Sequence, residues 1–280
     1  MTTTLTAPAT GADLAKPRPI PEVSNHIPFR QTVQNSFTMA YRGILKIKHN
    51  PEQLFDVTVQ PILFTALFAG IFGGAMAGSI SAYLPILIPG LLVQTVVLTS
   101  VVTGTQMRED MDKGVFDRFK SLPIARISAL SGALLADMVR YTLATVLTIT
   151  MGIILGYRPH GGLVAIVVAG LVVVFCSFAI SWIWALIGIT GKSAAAVQGI
   201  SMMIMFPLTF MSGAFAQVST MPGWLQGINK INPIYYMVNT ARELMNTGAY
   251  SSNLAYSLIG SVVVIAIFAP LAVKAYMRRA

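Results

Sequence analysis

The chain has 280 residues, of which 55% are hydrophobic and only 10% are charged, and its mean hydropathy is +0.70. This composition excludes an ordinary soluble globular protein, and a single cysteine, Cys176, excludes a disulfide framework or a thiolate metal site. A net charge of +9 would indicate nucleic acid binding in a soluble protein; in a membrane protein it indicates basic cytoplasmic loops, so no nucleic acid partner is expected.

The N-terminal part is predicted to lie outside the membrane. Residues 1–28 form a Thr-, Ala- and Pro-rich tail without the apolar run of a signal peptide, and we expect this tail to be disordered and cytoplasmic. Residues 29–56 are predicted to form an amphipathic elbow helix in the cytoplasmic membrane interface, with Asn50-Pro51 ending the regular helix. Two interpretations remain open, a basic topology anchor and a helix that also contacts a cytoplasmic partner.

Residues 57–280 are predicted to form one permease domain with six membrane-spanning helices. A spanning helix needs about 20 mostly apolar residues, and the apolar runs here are continuous rather than alternating, which favours helices over a β-barrel. The fold class is therefore an all-α polytopic membrane protein. The six predicted spans are Val57–Gly78, Tyr83–Gln106, Leu130–Tyr157, Leu163–Ile189, Ala194–Phe215 and Leu254–Val273.

The basic residues predict the orientation of these spans. Fifteen of the 19 Lys and Arg residues fall in the N-terminal segment, in the loops after the second and fourth spans, and after the sixth span. Cytoplasmic loops collect Lys and Arg, so both termini are expected on the cytoplasmic side of the plasma membrane.

The first span contains three glycines at intervals of four residues, Gly70, Gly74 and Gly78. Small residues with this spacing let helix backbones approach closely, so they predict a helix-packing face, either within the subunit or across a dimer. The alternative is that these glycines, together with Gly73, only loosen the end of the helix.

A charged cytoplasmic loop, residues 107–127, is predicted between the second and third spans. It holds nine of the 29 charged residues, and Gly114 interrupts its helical pattern. Phe116 and Phe119 are three residues apart, so a short helix would present both rings on one face. Aromatic anchors with a charged rim are typical of a protein docking surface, whereas a solvated loop that only sets topology is the alternative.

The third span contains an acid and a base, Asp137 and Arg140. Their i,i+3 spacing allows an intramembrane ion pair on one helix face. The pair is either structural or part of a proton relay.

The segment from Ala216 to Asn253 is too polar and too interrupted by Pro and Gly for a span, yet too apolar for a free loop. Short helices that re-enter the outer leaflet fit this pattern. Gly191-Lys192-Ser193 resembles the end of a phosphate-binding loop, but Leu186 stands where that motif needs glycine, so no nucleotide site is predicted.

Several segments in order resemble the permeases of daunorubicin-resistance ABC transporters, the membrane subunits of type-2 ABC exporters. The resemblance runs from about residue 37 to the C-terminus. It is carried by LKIKHNPEQLFDV (45–57), KGVFDRFKSLPI (113–124), SWIWALIG (181–188), FPLTFMSGAF (206–215), MPGWLQ (221–226) and Asn232-Pro233.

The resemblance implies a homodimeric permease that binds two copies of a separate ATP-binding subunit and exports an amphipathic drug through the bilayer. This chain would hold no cofactor or metal, and ATP and Mg would bind the partner. Export of a lipid or cell-wall precursor, or proton-coupled transport through Asp137, are the alternatives. The coupling contact with the ATPase would fall on Gly114, Val115, Phe116, Asp117, Arg118 and Phe119, and the outer re-entrant helices on residues 221–244.

Overall fold

The computed structural model describes residues 29–48, 51–115 and 126–279. Within these ranges the regular structure is entirely helical. Residues 218–220 form a 3-10 turn. The α-helices are α1 (Phe29–Lys48), α2 (Pro51–Ala77), α3 (Ile80–Asp112), α4 (Arg126–Ile154), α5 (Gly162–Thr190), α6 (Ala194–Met211), α7 (Gly223–Asn229), α8 (Pro233–Thr247) and α9 (Ser252–Arg279).

Six of these helices, α2 to α6 and α9, are long and apolar enough to cross a membrane. This confirms the all-α fold class and the six predicted spans. Several helices continue beyond the predicted apolar stretch; α3 runs to Asp112, so the first part of the predicted charged loop is helical. The reason is that a helix needs backbone hydrogen bonds but not apolar side chains once it leaves the hydrocarbon region.

Helix α3 lies at the centre of the bundle. In its most apolar stretch, 78% of the residues are buried, against 17% in the corresponding stretch of α9. Helix α3 contacts α2, α4, α5, α6 and α8. Glycines allow the closest of these contacts. A Cβ on Gly90 would lie 1.9 Å from the Ala214 carbonyl oxygen, and a Cβ on Gly188 of α5 would lie 2.3 Å from the Gly104 carbonyl oxygen. Backbone therefore packs directly on backbone at both points.

Helix α1 packs lengthwise against α4 through small side chains. A Cβ on Gly132 would lie 2.4 Å from the Met39 Cβ, and the hydroxyls of Ser36 and Ser131 are 2.8 Å apart. The opposite face of α1 carries exposed aromatic rings at i,i+4, Phe37 and Tyr41. The amphipathic helix is therefore formed, and its location in the membrane interface stays a prediction.

The segment between α6 and α9 folds into the two short helices α7 and α8. Asn232 begins α8 by accepting a hydrogen bond from the Ile234 amide at 3.0 Å, and Gly248 ends it in the left-handed conformation with φ 71°. The Asn232 side chain also donates to the Leu208 carbonyl at 2.7 Å, which ties α8 to the end of α6. Whether these helices re-enter the outer leaflet stays a prediction.

Candidate functional site

The predicted coupling segment begins where α3 ends. Two i,i+4 ion pairs, Arg108–Asp112 and Glu109–Lys113, stabilise the last turn of α3. Gly114 follows with φ 64°, a conformation that glycine adopts readily and that terminates the helix as the sequence predicts. Of the six predicted coupling residues, Gly114 and Val115 lie in the described part of the chain. Phe116, Asp117, Arg118 and Phe119 lie outside the described residues.

Arg108 links this end of α3 to a second turn, the one between α5 and α6. Its guanidinium donates to the carbonyl oxygen of Gly191, the residue that ends α5, at 3.0 Å. Ser193 begins α6 two residues later by accepting a hydrogen bond from the Ala196 amide at 3.2 Å. Gly191-Lys192-Ser193 is therefore a turn between two apolar helices, and the C-terminal end of α3 is bonded to it.

A buried polar group, called here the Asp137 cluster, joins α3 to α4. Asp137 and Arg140 form an ion pair at 3.1 Å, and both side chains are nearly inaccessible to solvent. From α3, the Thr103 hydroxyl donates to Asp137 at 2.5 Å, and Gln106 accepts from Arg140 at 3.0 Å. The fifth member is Tyr141, whose hydroxyl lies 2.9 Å from that of Thr103.

The Asp137 cluster lies on the two helices that flank the predicted coupling segment. Thr103 is nine residues before the end of α3, a distance of about 14 Å along the helix axis. Additional hydrogen bonds stabilise a buried ion pair, and α3 supplies one to Asp137 and one to Arg140, while the Arg140 Nε has no partner among the described residues. The cluster therefore fixes the relative position of α3 and α4.

Sequence reasoning missed Thr103, Gln106, Tyr141 and Arg108. Thr103, Gln106 and Tyr141 stand within or beside apolar runs, where isolated Thr, Gln and Tyr residues are common, and a lone sequence shows no spacing that joins α3 to α4. Arg108 lies in the charged loop, where nothing in the sequence distinguishes it from the other basic residues. The usable clue was that a buried Asp–Arg pair needs further hydrogen-bond partners on a neighbouring helix.

At the opposite end of α3, α8 bonds to backbone carbonyls. Pro89 has no N–H, so the Pro85 carbonyl oxygen lacks its normal helical partner, and the Asn246 side chain donates to it at 2.8 Å. Arg242 donates to the carbonyl oxygens of Ile86 at 3.2 Å and Gly213 at 2.8 Å. Burial lowers the pKa of Arg242 from its ordinary value. These bonds fix α8 against both α3 and the end of α6.

The three glycines predicted for helix packing lie on the outside of the subunit. A Cβ at Gly70, Gly74 or Gly78 would meet no atom of a described residue within 4 Å, whereas one at Gly73 would contact Ile80. Gly78 has φ 74° and follows the end of α2. No described residue therefore covers the face formed by Gly70 and Gly74.

Together these features define a class of protein: a multi-pass helical membrane protein. Buried polar groups link its spans. Among residues 29–48, 51–115 and 126–279, no group of three His, Cys, Asp or Glu side chains is placed to hold a metal ion. The comparisons with known proteins then give the family. Residues 34–246 match the family model described as ABC-2 type transporter, and the chain belongs to that family.

Relatives of this chain carry drug-resistance names. It is 40% identical over 253 residues to the daunorubicin resistance ABC transporter permease protein DrrB1 of Streptomyces coeruleorubidus, covering 90% of this chain and 89% of the relative. It is 24% identical over 146 residues to the probable doxorubicin resistance ABC transporter permease protein DrrC of Mycobacterium tuberculosis, covering 52% of each chain. The protein is thus a transporter permease subunit rather than an enzyme, and the family implies a separate ATP-binding partner subunit.

Proposed function

We propose that this protein is the membrane subunit of an ATP-driven exporter of an amphipathic, anthracycline-like drug or antibiotic. The observation that carries the proposal is the 40% identity to a daunorubicin resistance permease over 90% of the chain. A match of this extent is not confined to one shared segment.

ATP and Mg would bind the partner subunit, and the contact with that subunit would lie at Gly114 to Phe119. Two features support this location. Gly114 ends α3 at the most charged part of the chain, and Arg108 bonds the same end of α3 to the turn after α5. A force applied at Gly114 would therefore act on α3, on α5 and, through the Asp137 cluster, on α4.

The functional unit would be a permease homodimer with two ATP-binding subunits, with both termini in the cytoplasm. The face at Gly70 and Gly74 supports a dimer contact along α2, because glycines allow close helix approach and none of the residues that the structure describes covers that face. The basic residues at the ends of α3 and α9 support the orientation.

The export proposal is tested by reconstituting the chain in liposomes with its cognate ATPase. We expect daunorubicin to stimulate ATP hydrolysis and to accumulate on the opposite side of the membrane only when both subunits and ATP are present. ATP hydrolysis by this chain alone, or drug movement that persists without ATP and stops when the proton gradient is dissipated, would contradict the proposal. Stimulation by a lipid or cell-wall precursor, with no response to a panel of drugs, would reassign the cargo.

The coupling contact is tested with Phe116→Ala/Phe119→Ala. If these rings dock on the ATPase, the double variant loses co-purification with that subunit while its thermal unfolding stays close to the wild-type value. A matched control is Trp224→Ala/Tyr250→Ala, which removes two exposed aromatic rings from the segment between α6 and α9. Unchanged co-purification of the Phe116 and Phe119 variant would exclude docking there.

A further inference from the structure

Helix α6 packs on the bundle through a narrow stripe of side chains, and its main neighbour is α3. The buried residues of α6 recur every four positions and make up 22% of the helix: Val197, Ser201, Met205 and Thr209. One member of this stripe is unfavourable where it lies. The Ser201 hydroxyl is inaccessible to solvent and has no hydrogen bond to any described residue. The stripe therefore holds α6 weakly along its length.

Hydrogen bonds from two arginines hold the turns at the two ends of α6. Before α6, Arg108 of α3 donates to the Gly191 carbonyl oxygen at 3.0 Å. After α6, Arg242 of α8 donates to the Gly213 carbonyl oxygen at 2.8 Å, and the same nitrogen donates to the Ile86 carbonyl oxygen of α3 at 3.2 Å. A hydrogen bond from a charged donor is about twice as strong as a neutral one. Arg242 therefore links the turn after α6 to α3.

The C-terminal end of α6 is bonded at two further carbonyl oxygens. Leu208 accepts from the Asn232 side chain of α8 at 2.7 Å, and Phe215 accepts from the Tyr83 hydroxyl of α3 at 2.7 Å. The last four carbonyls of a helix lack partners within it, so a side chain such as Asn232 can bond to them. The stack of the Phe215 ring on Phe68, with ring centres 4.6 Å apart, is non-directional and can shift more easily than a hydrogen bond. Polar bonds from α3 and α8 therefore hold this end of α6 in place.

We propose that Arg242 is a positioning residue for transport, and that its release from Gly213 lets the C-terminal end of α6 move away from α3 as a gate. The other end of α6 stays bonded to Arg108 and acts as the pivot. Helix α8 remains on α3 through Asn246. Water that enters the open gate hydrates the Ser201 hydroxyl, which offsets part of the cost of separating the stripe. This gate belongs to the permease itself and does not depend on the identity of the cargo or on where the ATPase docks.

Cysteine labelling tests the gate, because Cys176→Ser removes the single native cysteine. Two single-cysteine reporters are then placed at fully buried positions of the stripe, Thr209→Cys near the proposed opening and Val197→Cys near the pivot. The full-length protein in lipid nanodiscs is treated with a membrane-impermeant maleimide, which reaches both faces of the membrane. Tyr250→Cys, at an exposed position before α9, gives the rate of an accessible thiol. We expect slow labelling of Thr209→Cys and still slower labelling of Val197→Cys.

Two variants weaken the closed gate to different extents. Arg242→Met removes the charged donor and should raise the labelling rate of Thr209→Cys by about tenfold or more, the effect of one charge-assisted hydrogen bond on the open population. Tyr83→Phe removes only one neutral hydrogen bond and should raise that rate about threefold. The matched control Arg158→Met removes an exposed arginine whose bond goes to the end of the preceding helix α4, and it should leave the rate unchanged.

The position of the faster labelling decides the outcome. A rise at Thr209→Cys that exceeds the rise at Val197→Cys supports a gate that opens at one end. Equal rises at both reporters would overturn the proposal, because α6 would then detach or unfold as a whole. Unchanged labelling of Thr209→Cys in both Arg242→Met and Tyr83→Phe would also overturn it. If Arg242→Met does not fold, Tyr83→Phe decides by the same comparison of the two reporters.

Discussion

Substitution of Asp137 by Asn tests whether the Asp137 cluster is structural. Asn has nearly the same shape as Asp but no charge, so the change removes the charged partner of Arg140 and leaves the guanidinium buried without a counter-charge. Two effects contribute to the cost. Single hydrogen bonds between membrane helices average about 0.6 kcal/mol, whereas an uncompensated buried charge costs about 3–5 kcal/mol. The charge effect dominates, and we expect Asp137→Asn to destabilise the fold by about 3–5 kcal/mol.

The double variant Asp137→Asn/Arg140→Met isolates that charge effect. Met has a flexible apolar side chain that fills irregular space, so no buried charge remains after both changes. Replacement of a whole buried ion pair by apolar groups is often close to neutral, and we expect the double variant to recover most of the lost stability. The free energy of reversible unfolding in mixed micelles is measured for the wild type, Asp137→Asn, Arg140→Met and the double variant.

The proton-relay interpretation predicts a different result for Asp137→Asn. In a relay the carboxyl group of Asp137 would be needed for transport but not for folding, so Asp137→Asn would unfold like the wild type while transport stopped. A stable, inactive Asp137→Asn protein would therefore refute the structural role. Recovery of both stability and transport in the double variant would rule out the relay.

Two further substitutions test the contacts of α3. Gly188→Ala should destabilise the fold by about 1–3 kcal/mol because its Cβ would lie 2.3 Å from the Gly104 backbone oxygen. The control Gly260→Ala on α9, where no described residue lies within 4 Å, should be neutral or stabilising by up to about 1 kcal/mol. Asn246→Ala should cost about 1–3 kcal/mol because the Pro85 carbonyl and the Tyr157 hydroxyl both lose a partner. The control Thr247→Ala removes two exposed bonds, one to the Glu243 carbonyl within α8 and one from the Ala249 amide just after it, and should cost less. Thermal unfolding in detergent measures both pairs, and equal midpoints within either pair would contradict the corresponding contact.

The number and approximate position of the spans follow from the sequence because the bilayer imposes a length on any continuous apolar run. Val57–Gly78 and Leu163–Ile189 show this, since each predicted span falls largely within one helix of the structure. The helix ends are less predictable. Asp112 and Arg279 end α3 and α9 outside the predicted apolar stretches, because charged residues in water do not interrupt a helix.

Contacts between helices do not follow from the sequence, because they depend on which faces meet. Asn246 and Pro85 are 161 positions apart, and the reason for their hydrogen bond, the missing amide of Pro89, is visible only once α8 lies against α3. Glycine shows the same limitation. Gly70 and Gly74 have the spacing typical of helix packing, yet Gly104 and Gly188, which have no such spacing and lie on different helices, form a close backbone crossing inside the subunit.

Helix α3 joins the proposed coupling contact to the far side of the bundle. Its C-terminal end carries Arg108 and Gly114, its middle carries the Asp137 cluster partners, and its N-terminal part carries the carbonyl oxygens bonded to α8. Its 33 residues span about 50 Å. A displacement at Gly114 that moves α3 along its axis must therefore either carry α8 with it or break the Asn246 and Arg242 hydrogen bonds. Since α8 is bonded to α3 at Pro85 and Ile86, close to the backbone contact of Gly90, movement as one unit disrupts fewer buried polar groups.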